Sequence, residues 1–128
     1  MIDFLTMDDV LEIHREQIRV YGGSDGIRDV GLLESALAQP SAEFSGVRLH
    51  KDMDEMAAAY LFHVVQNHPF IDGNKRVGLE AALLFLEING HSLEVEDDKL
   101  IDLVLMTAQG QMVKLTIAEF FRTHALTI

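Results

Sequence analysis

Apolar residues recur every three or four positions along almost the whole chain, the spacing of helices that bury one face. Thr6, with Asp9 three residues later, reads as a capping box. Val10, Leu11, Ile13, Ile18 and Tyr21 then supply a broad apolar face that Gly22-Gly23 ends. Asp29 opens a short helix through Leu32, Leu33, Ala36 and Leu37, closed by Pro40. Ser41 to Lys51 has no helical period and predicts a mobile loop or a small hairpin over a site. Asp52, with Glu55 as its reciprocal acid, opens a helix burying Met56, Ala57, Tyr60, Leu61, Val64 and Val65. That helix stops near Asn67, because Pro69 disfavours helical geometry at His68. The next begins within Asn74-Lys75-Arg76, buries Val77, Ala81, Leu84, Phe85 and Ile88, and ends at Asn89-Gly90. A fifth runs from about Asp98 to Ala108, and Thr116 with Glu119 reads as the capping box of a last helix carrying Ile117, Phe120 and Phe121. Val47-Leu49 and Ser92-Val95 are extended pieces too short for a real sheet. The expectation is an all-α bundle of six helices, the longest two joined by the loop from His68 to Gly73.

A chain of 128 residues with 48% hydrophobic content suits one domain over residues 1–128 with a single core. It has no cysteine, which excludes disulfides and thiolate metal sites and makes the cytoplasm the expected location. The N-terminal residues are acidic where a signal peptide is basic, and no apolar run reaches the roughly 18 residues of a membrane span. Ten Lys+Arg against 21 Asp+Glu give a net charge of −11, which repels nucleic acid and anionic membrane. Neither is an expected partner; a basic protein or peptide is.

Against that background the paired cations of Asn74-Lys75-Arg76 stand out. They open a helix whose unpaired N–H groups and partial positive charge make an anion site. Gly73 permits the turn and a close approach of phosphate to backbone. Lys75 can reach phosphate oxygens as a point charge and Arg76 can grip them bidentately. Asp72 is the carboxylate beside them, and magnesium is commonly held by one or two carboxylates plus substrate phosphates, so a nucleotide with Mg²⁺ is the expected ligand. His68, four residues upstream, is placed to take a proton from an incoming hydroxyl. Phe70 anchors the loop in the core. Taken singly, each of these residues is more often structural: Asp-Gly is an ordinary turn and Asn74 an ordinary N-cap.

Together, His68-Pro-Phe-x-Asp72-Gly-Asn-Lys-Arg76 closely resembles the signature of the Fic/Doc superfamily, His-x-Phe-x-Asp/Glu-Gly/Ala-Asn-Gly/Lys-Arg. Tyr21 to Leu37 and Ala81 to Gly90 resemble the Doc (death-on-curing) branch, so the likeness covers nearly the whole chain. It implies a compact six-helix Fic/Doc-like bundle with the active loop at the N-terminus of a central helix. It also implies roles: His68 as general base, Asp72 as the Mg²⁺ ligand, Asn74 and Arg76 as holders of the nucleotide phosphates. Fic adenylyltransferases carry Gly in place of Lys75 and a second Arg where this chain has Leu79. Doc toxins share the Lys, and their resemblance implies that ATP presents its γ-phosphate, so that the product is a phosphorylated hydroxyl, with Lys75 a phosphate ligand with a catalytic share. The implied target is elongation factor Tu. The implied partner is an antitoxin whose disordered C-terminal segment folds on the toxin, with any effect on transcription indirect.

Other classes stay open: transfer of AMP or another nucleotide, a catalytically silent binding module, and metal hydrolase chemistry, which needs clustered His/Asp ligands. The remaining histidines, His14, His50, His63, His91 and His124, show no ligand spacing. His63 reads as a packed or hydrogen-bonded core residue, His14 and His124 as surface or boundary positions, and Met53, Met56 and Met106 as core filler. Glu94 to Asp98 reads as a solvated turn or a docking surface for basic antitoxin residues.

Overall fold

The computed structural model describes residues 1–126. Its helices are α1 (Met7–Tyr21), α2 (Val30–Ala38), α3 (Met53–Asn67), α4 (Asn74–Ile88), α5 (Asp97–Ala108) and α6 (Lys114–Thr123). The strands β1 (Glu43–Phe44) and β2 (Val47–Arg48) pair antiparallel between α2 and α3. The bundle is all-α, and the two helices joined by the His68–Gly73 loop pack closely on each other. No helix among the described residues is long and apolar enough to cross a membrane.

Helix α3 is the axis of the core, packed against α2, α4, α5 and α6. It buries Met56, Ala57, Ala58, Ala59, Tyr60, Leu61, Val64 and Val65, and the alanines let neighbours approach from several sides. The α3–α4 crossing depends on Gly78: a Cβ there would meet Val65 Cγ2 at 2.9 Å and the Leu61 carbonyl at 3.3 Å. Adding a methyl group in so close a contact forces the helices apart. Tyr60 is fully buried, and its hydroxyl accepts the Leu5 N–H at 2.9 Å, seating the N-terminal segment on α3.

Several helix ends match their sequence signals. Thr6 and Asp9 form the reciprocal capping box of α1, and Asp29 caps α2 through the Leu32 N–H. Asp52 caps α3, but Glu55 reaches the Lys51 N–H at 3.4 Å rather than that of Asp52. The Ser41–Lys51 segment is a hairpin whose turn residues Ser45 and Gly46 both have positive φ, as a two-residue I′ turn requires. Ser92–Val95 contributes an isolated bridge from Leu93 to Ala125.

Other expectations are corrected. The last helix starts at Lys114 with Val113 as N-cap and no side-chain cap, so Thr116 lies inside it and forms no capping box with Glu119. Glu119 instead accepts from Arg122 at 2.6 Å. Tyr21, Ile88 and Met106 are exposed, and Ala82 and Leu86 take the core places on α4. Met53 is half-buried and Met56 fully so.

Lys114 Nζ donates to His50 Nε2 (3.2 Å) and His63 Nε2 (3.0 Å), tying the start of α6 to the segment before α3 and to the middle of α3. His63 is thus hydrogen-bonded as its position predicts, though half-buried and not in the core. Burial, then the neighbouring Lys114 ammonium, push its pKa down to about 4. Between that value and the ordinary 6.5 the unfolded chain binds a proton that the folded chain refuses. Stability from this group is therefore complete above pH 6.5 and is lost as pH falls toward 4. Urea midpoints should fall over that window, and His63→Gln should flatten the fall; equal slopes for both proteins would refute this assignment.

Candidate active site

The loop between α3 and α4 is held in place by a nearly complete set of backbone hydrogen bonds, supplied largely by residues distant in sequence. The following proline disfavours right-handed helical geometry at His68, where α3 ends, and the residue takes the left-handed conformation (φ 51°, ψ 53°). Its carbonyl accepts Arg28 Nε at 2.7 Å, and the Asn67 carbonyl accepts Arg28 Nη2 at 3.0 Å, so one guanidinium closes the C-terminus of α3. The Pro69 carbonyl accepts the N–H groups of Arg28 (2.7 Å) and Asp29 (3.0 Å), and Ile71 N–H donates to Gly26 (3.1 Å). Gly26–Asp29 therefore braces the loop as a short antiparallel partner, with Ile27 opposite Phe70.

Phe70 is fully buried, the anchor that the sequence predicts. Its N–H donates to Asn74 Oδ1 (2.8 Å) and its carbonyl accepts Asn74 Nδ2 (3.0 Å). Asn74 is the first residue of α4; the N-cap is Gly73, at φ 87° and without a side-chain cap. The first-turn N–H groups of α4 are thus left for a ligand or water. His14, expected at a surface or boundary position of its helix, is buried, with a relative exposure of 3%. It stacks on Phe70 (centroids 4.0 Å apart, planes 8° apart) and donates Nε2–H to the Asp72 carbonyl at 2.9 Å. The spacing Val10–His14–Ile18 was the available signal, since residues four apart share a helix face.

Beyond this braced loop lies an open pocket of about 250 Å³ lined by Gln17, Ile18, Tyr21, Gly22, Gly23, Asp72, Gly73 and Arg76. Asp72 Oδ2 accepts the Ser24 N–H at 2.7 Å, which orients the exposed carboxylate and leaves its other oxygen available. The structure therefore brings Asp72, Gly73 and Arg76 together. Asn74 is buried beneath them, Lys75 is exposed on the first turn of α4, and His68 is exposed at the far end of the loop; none of these three lines the pocket. No group of three or more His, Cys, Asp or Glu that could hold a metal ion occurs among the described residues. A single oriented carboxylate at an uncapped helix N-terminus fits a cation that arrives with phosphate oxygens, and does not fit a self-contained metal centre.

The family profile described as Fic/DOC family matches residues 4–86. The chain belongs to that family. It is 39% identical over 98 residues to Toxin Doc of Mycolicibacterium smegmatis (strain ATCC 700084 / mc(2)155), covering 77% of this chain and 73% of that protein. It is also 30% identical over 118 residues to Protein kinase doc of Escherichia phage P1, covering 92% of each. The Fic/DOC match spans α1, the brace, the loop and most of α4, and so includes every residue that lines the pocket. Arg28, Ser24 and His14, which hold the loop of this Fic/DOC protein, are not in its loop signature, and their roles follow from their contacts.

Proposed function

We propose that the protein is the toxin of a toxin–antitoxin module and transfers the γ-phosphate of ATP to a hydroxyl of a protein target in the cytoplasm, elongation factor Tu being the target its family resemblance implies. The observation that carries this reading is the meeting of Asp72, Gly73 and Arg76 at the uncapped N-terminus of α4. The relatives named Toxin Doc and Protein kinase doc support it.

In this reading the target oxygen forms a bond to the γ-phosphorus while the bond from that phosphorus to the β,γ-bridging oxygen breaks, leaving ADP. The hydroxyl proton passes to the His68 imidazole. Mg²⁺, held by Asp72 together with the nucleotide phosphates, would neutralise phosphate charge. Arg76, Lys75 and the α4 N–H groups hold the oxygens of the transferred and leaving groups. Phosphoryl transfer proceeds through a loose transition state, so this positioning and charge supply most of the rate. Lys75 is where the branch differs from nucleotide transferases, and its side chain takes the space of a closer backbone–phosphate contact. An antitoxin segment that folds on the toxin surface would hold the activity in check, and the net charge of −11 favours basic positions on it.

The test is transfer to purified elongation factor Tu with Mg²⁺ and ATP labelled separately on the α- and γ-phosphates. Label from the γ-phosphate alone is expected. Label from the α-phosphate would make the protein a nucleotide transferase, and no label from either would overturn the target or the reaction.

A further inference from the structure

Tyr21 closes α1 with its ring in solvent, 60% exposed, at a position where the apolar periodicity calls for a core residue. Its contact is with the pocket: the Arg76 guanidinium carbon lies 4.1 Å from the centroid of the Tyr21 ring, and both side chains line the same cavity as Asp72 and Gly73. Arg76 has no carboxylate within salt-bridge distance among the described residues, although the chain carries 21 acids. Arg15, Arg19 and Arg122 pair with acids, Arg28 donates to the carbonyls that end α3, and Arg48 lies over the Phe4 ring at 5.3 Å.

The difference has a chemical consequence. A carboxylate would occupy the in-plane N–H donors of Arg76 and compete with any incoming anion. An aromatic ring engages only the face of the guanidinium and leaves those donors free for oxyanions. We infer that Tyr21 is a positioning residue, holding the Arg76 guanidinium over the pocket with its donors open to the phosphates of the nucleotide. This rests on the phosphate reading of the pocket, and it adds a residue outside the loop signature to the site. The Gly22-Gly23 turn that follows lets the chain pass close to Asp72; a Cβ on Gly23 would lie 3.3 Å from Asp72 Cβ.

The experiment measures binding of inorganic tripolyphosphate, which has no base, and of ATP, both with Mg²⁺, by calorimetry. The proteins compared are the unsubstituted chain, Tyr21→Phe, Tyr21→Leu, Arg76→Gln and the Tyr21→Leu/Arg76→Gln double variant. Tyr21→Leu should weaken both ligands by about three- to tenfold, and Tyr21→Phe should stay within about twofold, because the ring face and not the hydroxyl acts. In the Arg76→Gln background Tyr21→Leu should have no further effect, since its partner is gone. Unchanged binding in Tyr21→Leu overturns the inference, as does an equal loss with and without Arg76. Loss for ATP alone also overturns it, because the ring would then be stacking on the base. If the unsubstituted protein binds neither ligand, the phosphate reading itself fails, an outcome distinct from all of these.

Discussion

His68→Ala lowers transfer to the target by about two to four orders of magnitude, the usual worth of a positioned general base. The imidazole is exposed at the C-cap of α3, and the backbone around it is held by Arg28 and by the Val64 carbonyl, not by the ring. Removal of the ring should therefore leave the unfolding midpoint nearly unchanged while transfer collapses. Because His68 occupies left-handed φ/ψ space, His68→Asn is the better-matched control for the backbone, as asparagine tolerates that region more readily than alanine. Both variants should keep their affinity for ATP, since His68 is not among the residues lining the pocket of Asp72, Gly73 and Arg76. Transfer within about threefold of the parent in either variant would end the assignment of His68 as base.

Asn74→Ala has the largest expected effect on stability. The amide of Asn74 satisfies both the N–H and the carbonyl of Phe70, a residue with no exposed surface. Truncation leaves two buried backbone groups unpaired at about 1–3 kcal/mol each, so a loss of about 2–4 kcal/mol is expected after partial relief by water. The same change loosens the turn that places Asp72 and Gly73, so nucleotide affinity should fall with stability. Asn74→Asp keeps an acceptor for the Phe70 N–H but sets a carboxylate oxygen against the Phe70 carbonyl, and it should be destabilised as well. Urea unfolding reads the first effect, and hydrogen exchange at the Phe70 amide locates it. An Asn74→Ala midpoint equal to that of the parent would show that the tie contributes nothing.

The role that resemblance assigns to Asn74 is phosphate binding, whereas its observed contacts serve the loop backbone. The two are separable by experiment, because a phosphate ligand affects affinity alone and a backbone tie affects both affinity and stability.

Periodicity and caps were legible in the chain because they are local. Thr6 with Asp9, Asp29, Asp52 and the Pro69 stop each act within a few residues, and the helices they delimit match the observed ones closely. The α6 start was misplaced because Thr116-x-x-Glu119 has the form of a capping box, whereas the helix already begins at Lys114 with Val113 as an N-cap that carries no side-chain signal. His14 was misplaced because a histidine on an apolar stripe has no local signature for the carbonyl that it meets 58 residues later.

The order of His68, Asp72, Gly73, Asn74, Lys75 and Arg76, and the family to which the chain belongs, were written in adjacent residues. Tertiary structure alone decided which of them share a pocket and what fixes the loop. Arg28, His14, Ser24 and Tyr21 come from α1 and the segment after it, and their hydrogen bonds and stacking form only when these pack against the end of α3, the following loop and the start of α4. Helix capping and amphipathic spacing depend on neighbours within one or two turns, and a sequence displays them directly. A buried histidine under a carbonyl, or an arginine laid on an aromatic face, depends on how distant segments meet, which no single stretch of residues specifies.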